Sequence, residues 1–85
     1  MLFHRFQKMN VFDALKLYLF QKDESVLDFM INCCEKVPDG NKYRVKCKDG
    51  SEFFLQRVSE NEYVILGREI IKITVKKEAF KSAFP

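Results

Sequence analysis

The 85-residue sequence predicts an α+β fold in which N-terminal helices precede a small antiparallel sheet. Three observations carry that reading. Between Lys42 and Phe84 apolar residues recur with a period of two and turn-forming residues fall at short intervals, the signature of strands with one buried face. Upstream of Pro38 the apolar residues instead recur at spacings of three and four, which lines them along one side of a helix. A chain of this length buries only about 60% of its unfolded surface, so both halves must share one core. The expected organisation is a single domain, 1–85, with a helical part at 1–38 and a β part at 42–85.

Segment 1–9 holds Leu2, Phe3, Phe6 and Met9, either a further piece of core helix or an amphipathic extension that docks on a neighbour. Asn10 and Asp13 resemble a helix cap, and Val11, Phe12, Leu15, Tyr18 and Leu19 then share a face, which predicts a first helix over 11–22. Asp23-Glu24-Ser25 interrupts it. The stripe Val26, Phe29, Met30, Cys33, Val37 predicts a second helix over 26–36, stopped by Pro38-Asp39-Gly40-Asn41. A first strand follows at 42–48, then the hairpin signal Asp49-Gly50, a return strand at 51–58 and a turn at 59–62. A third strand occupies 63–66, Gly67-Arg68 breaks it, and 70–75, rich in β-branched residues, forms a fourth. From Lys76 onward these patterns alone do not choose between helix and strand.

Nine Phe, three Tyr and 47% hydrophobic residues supply a dense core. The three cysteines are an odd set: Cys33 and Cys34 adjacent in an apolar helical stripe, Cys47 at an apolar strand position. With no CxxC spacing and His4 the single histidine, they are expected to be reduced packing residues rather than metal ligands or a disulfide. Between residues 1 and 20, His4, Arg5, Gln7, Lys8, Asp13 and Lys16 interrupt any long apolar run, so a soluble, cytoplasmic protein without a membrane partner is expected. A net charge of +3 permits nucleic-acid binding without requiring it.

Nothing in the pattern looks catalytic. There is no Gly-rich phosphate loop, HExxH or GxSxG, and His4 has no partner for acid–base work, so neither enzymatic activity nor a cofactor is expected. Glu60, Glu62, Glu69 and Glu78 fall in turns or at strand ends, where a carboxylate is ordinarily just solvated.

The β part carries a more specific likeness. Asp49-Gly50, Phe53 three residues after the glycine, Asn61 eleven after it, then Tyr63-Val64-Ile65-Leu66 and, without a gap, Val75-Lys76-Lys77-Glu78-Ala79-Phe80 and a closing Pro85 resemble the Sm-like RNA-binding family, particularly its Hfq-like members. The likeness covers about 40 residues, all in the C-terminal half. Leu55 stands where the family has a glycine at a sharp bend, Glu78 where it has a histidine, and Lys76 where it has an aromatic. The resemblance implies a fifth strand at 79–84, so that the sheet becomes a small, strongly bent, five-stranded Sm-like barrel. It also implies a ring-shaped homo-oligomer that binds single-stranded RNA, with Tyr63 stacking on bases and Lys77, beside Lys76, contacting them.

Independently of the resemblance, Lys42, Arg44, Lys46 and Lys48 form a basic row on one face of the first strand, able to meet phosphates or simply to keep an edge soluble. The candidate nucleic-acid-binding residues are therefore Tyr63, Lys77, Lys76, Lys46, Arg44 and Lys48. The other function in view is a small protein-binding module, an inhibitor or adaptor, presenting Phe12, Leu15, Leu19 and Phe20 from its N-terminal helices to a protein partner.

Overall fold

The computed structural model describes residues 11–85; both readings of segment 1–9, and Asn10 as part of a cap, lie outside the described residues. Helix α1 spans Val11–Gln21, and Val11, Phe12, Ala14, Leu15 and Tyr18 bury its inner stripe. Its first described turn is capped from a distance. The Val11 N–H donates to Asp49 Oδ2 at 3.0 Å and to Ser51 Oγ at 3.1 Å, so the Asp49-Gly50 hairpin both turns the chain and satisfies a helix N–H. At the other end Lys22 takes a left-handed φ of 55° and its N–H returns to the Tyr18 carbonyl at 2.6 Å, closing the helix.

Helix α2, Ser25–Cys33, buries Val26, Leu27 and Met30. Here the structure departs from the sequence reading. The helix does not continue to residue 36: the chain turns extended at Cys34 and strand β1, Cys34–Asp39, begins without a loop. Val37 therefore belongs to a strand and is 37% exposed rather than part of a helical stripe. Gly40-Asn41, with Gly40 at φ 67°, is a two-residue hairpin turn between the paired Asp39 and Lys42. The turn at Asp49-Gly50, where Gly50 has φ 93°, is one residue longer and closed by the Cys47 N–H donating to the Ser51 carbonyl.

Strands β2 (Lys42–Cys47), β3 (Glu52–Arg57), β4 (Glu62–Leu66) and β5 (Ile70–Thr74) follow as a meander. All five strands pair antiparallel with their sequence neighbours in the order β1-β2-β3-β4-β5. The sheet is open, with β1 and β5 as separate edges, so it does not close into a barrel. Leu55, at the position of the family's bend glycine, is fully buried and spends its side chain on the core instead.

The tail is a second correction. Residues 79–84 form no fifth strand; Glu78–Ala83 is a short helix, α3, followed by Phe84. Phe80 and Phe84 are four residues apart, a spacing that keeps two side chains on one face in a helix and in a strand alike. Ser82 separates the two. In a strand it would point into the core between the rings, whereas in α3 it is exposed.

One face of the sheet and all three helices share a single core, in which Val45, Phe53, Leu55, Tyr63, Ile65, Ile71 and Ile73 meet Phe12, Leu15, Leu27, Met30, Phe80 and Phe84. Phe12 packs edge-on to Phe53 with centroids 6.3 Å apart. Gly67 lies under the same ring, where a Cβ would sit 2.5 Å from Phe12 Cε2, so the β4–β5 turn can approach α1 only as glycine. Tyr63 makes a T-shaped contact with Phe80 at 5.2 Å, which docks α3 onto β4.

Candidate nucleic-acid interface

With the helices on one face, strict alternation sends every second strand residue to the other. Register places Val37, Arg44, Phe54, Leu66 and Ile70 in one row across all five strands. Lys42 pairs with Asp39 in the next row, and Gln56, Val64 and Lys72 continue it. The centre of this open face is Phe54, half-buried by its neighbours, with Lys42 Nζ 5.3 Å and Arg44 Cζ 5.8 Å from its ring centroid. Those are cation–π distances, and they hold two positive groups over the aromatic ring.

The sequence-predicted site residues divide between the two faces. Arg44 and Lys46 lie on the open face with Lys42, as the basic row implied. Tyr63 does not: it is 1% exposed, its hydroxyl donates to the Phe84 carbonyl at 2.8 Å, and its ring is enclosed against Phe80. Burial raises the Tyr63 pKa, with the Arg57 cation opposing and Tyr43 adding to the rise. A ring so enclosed presents no face to a base. Lys77 sits at the start of α3 with Nζ 3.2 Å from Asp28 Oδ1 of α2, on the helical side of the molecule. Lys76 lies in the β5–α3 connection and Lys48 just beyond β2; both are exposed and neither forms an ion pair among the described residues. The pore-side pair of the Sm-like reading is thus separated from the basic row.

Sequence reasoning missed Phe54. The signal was present in the adjacent Phe53-Phe54, because in a strand of period two both rings cannot face the same core. Phe53 is 3% exposed and takes the core, leaving Phe54 to the opposite face.

Charge on the open face is mixed. Arg44 lies 3.5 Å from Asp39 and Lys46 3.8 Å from Glu52, all four side chains substantially exposed. Exposed pairs of this kind contribute about 0–1 kcal/mol, so a competing phosphate can displace the carboxylate. Lys42 and Lys72 form no ion pair among the described residues.

The helical surface proposed for a protein partner is also changed: Phe12 and Leu15 are core residues, and of that set Leu19 at 38% and Phe20 at 87% exposure stay accessible. Among the described residues no group of His, Cys, Asp and Glu is arranged to hold a metal ion, and no helix is long and apolar enough to cross a membrane. Comparison with protein-family models, curated proteins and solved structures finds no match to the chain.

Proposed function

We propose that the protein is a binding protein rather than an enzyme, and that it takes single-stranded RNA on the open sheet face. One observation carries this reading: an aromatic ring at the centre of a sheet face that no described helix covers, with the cations of Lys42 and Arg44 over it. A base of any sequence can stack on such a ring when the long Lys42 and Arg44 side chains swing off it to meet the flanking phosphates. Lys46 and Lys72 extend the positive groups along the same face. Glu35, Asp39, Glu52 and Glu62 stand among them, so affinity on the order of micromolar is expected rather than the tighter binding of a strongly basic groove. The proposed surface differs from the pore site of Sm-like rings, and the reading does not depend on that family.

Titrating a labelled U-rich or A-rich single strand at about 50 mM and 200 mM salt tests it. With about three phosphates engaged, affinity should fall roughly tenfold to twentyfold between the two conditions. Absence of binding at the lower salt would remove the RNA reading. It would leave a protein-binding module, favoured by the apolar members of the same face, above all Ile70 at 70% exposure. Self-association belongs to the proposal as well. The edges of β1 and β5, unpaired among the described residues, are what subunits of a homo-oligomer would pair, and a monomeric mass by light scattering at tens of micromolar protein would exclude it.

A further inference from the structure

The three cysteines, expected to be independent reduced thiols, converge in the folded chain. Cys34 and Cys47 stand directly opposite in the β1–β2 ladder and are joined as a disulfide, and Cys33 is free beside them. All three line one surface depression of about 410 Å³ with Asn32, Glu35, Lys46 and Lys48. Cys34 is half-buried and Cys47 is 8% exposed, so the bond is approached from the Cys34 side. The two ammonium groups favour an anionic attacker, although Glu35 lines the depression too and Lys46 lies 3.8 Å from Glu52.

β1 itself is an exposed edge strand. None of its residues belongs to the buried core, and Glu35, Lys36, Val37 and Pro38 are all exposed. Apart from its ladder to β2, it is held by Cys34, half-buried against the core, by Lys36, which donates to the Ala83 carbonyl and sits 5.6 Å from the Tyr43 and Phe84 ring centroids, and by the exposed Asp39–Arg44 pair. Those are weak ties for an edge strand.

We infer that the depression is a thiol-exchange site for a small carboxylate-bearing thiol, with the Cys34–Cys47 bond as the reacting group. The thiolate attacks Cys34 Sγ. A bond forms between the two sulfurs, the Cys34–Cys47 bond breaks, and Cys47 leaves as a thiolate that takes a proton from water. A second thiolate then attacks the sulfur of the bound thiol, releasing the small-molecule disulfide and Cys34 as a thiolate, which is likewise protonated. Two small thiols are oxidised, one protein disulfide is reduced, and two electrons pass to the chain. The structural consequence is loosening of β1, which is then held to β2 by its ladder with no covalent tie. The inference does not rest on RNA binding.

Reduced and oxidised glutathione serve as probes on the native full chain. After oxidised glutathione, thiol counting in denaturant should find one thiol per chain, that of Cys33. After excess reduced glutathione without denaturant it should find three, with a transient mixed disulfide in the intact mass. Hydrogen exchange at 35–39 should then accelerate about tenfold or more while β3 and β4 keep their protection. Cys47→Ser should show the fast exchange without added thiol, and Cys33→Ser should still react. Three thiols after the oxidising treatment, a disulfide that glutathione reduces only in denaturant, or unchanged protection of 35–39 in the reduced chain would each overturn the inference. If Cys47→Ser does not fold, the thiol counts and exchange rates of the native chain decide alone.

Discussion

Phe80→Ala is expected to destabilise the fold by about 3–5 kcal/mol, the range for emptying a fully buried aromatic site. Phe80 has no exposed surface; its ring meets Tyr63 at 5.2 Å and Phe84 at 4.8 Å. Helix α3 has six residues, too few to be helical without tertiary support, so the ring is what fixes the tail to β4. Truncation would leave a void against Tyr63 and loosen the Phe84 carbonyl that accepts its hydroxyl bond. Urea unfolding followed by circular dichroism measures the loss. The control is Phe20→Ala: that ring is 87% exposed, and its removal should change stability by no more than about 0.5 kcal/mol. Similar small changes from both substitutions would show that the tail does not pack as described.

Phe54→Ala is expected to weaken binding of a short single strand by about 1–3 kcal/mol, or roughly fivefold to 150-fold, through loss of the stacking platform. The ring lies outside the buried core, so the variant should stay folded and the loss is read on a native sheet. Tyr63→Phe provides the opposite case. It removes a buried hydrogen bond to Phe84, at a net cost of about 1 kcal/mol of stability, and should leave RNA affinity unchanged. Equal affinity for Phe54→Ala and wild type would show that bases do not stack there.

The sheet from β2 to β5 was legible because alternation, Asp49-Gly50 and the β-branched run at 70–75 all argue for the same strands. β1 was hidden by a coincidence of spacing. Cys33 and Val37 continue the four-residue step of the helix before them, so Gly40-Asn41 passed for part of a helix stop instead of the hairpin turn it also resembles. What decides the matter is non-local: Glu35 to Val37 pair with Arg44 to Lys46 across that turn, and Cys34 meets Cys47. The tail failed for a similar reason, since Phe80 and Phe84 satisfy either period and only the fate of Ser82 discriminates.

The candidate site was half legible. Arg44 and Lys46 could be placed with Lys42 on one face from alternation alone, and the structure keeps them there. Which aromatic stands beside them depends on which face the helices cover, and that is settled by packing. Because α3 lands on the Tyr63 side, Tyr63 becomes core and Phe54 becomes surface. The cysteine pairing was illegible from spacing, because Cys34 and Cys47 become neighbours only once β1 exists.

Chemical-shift mapping of the ¹⁵N-labelled chain during titration with a short U-rich or A-rich single strand tests the central claim most directly. The account predicts shifts concentrated at Lys42, Arg44, Phe54, Val64, Leu66 and Lys72, with Tyr63 and Lys77 unmoved. Shifts centred on Tyr63 and Lys76–Lys77, or none at all at low salt, would contradict it.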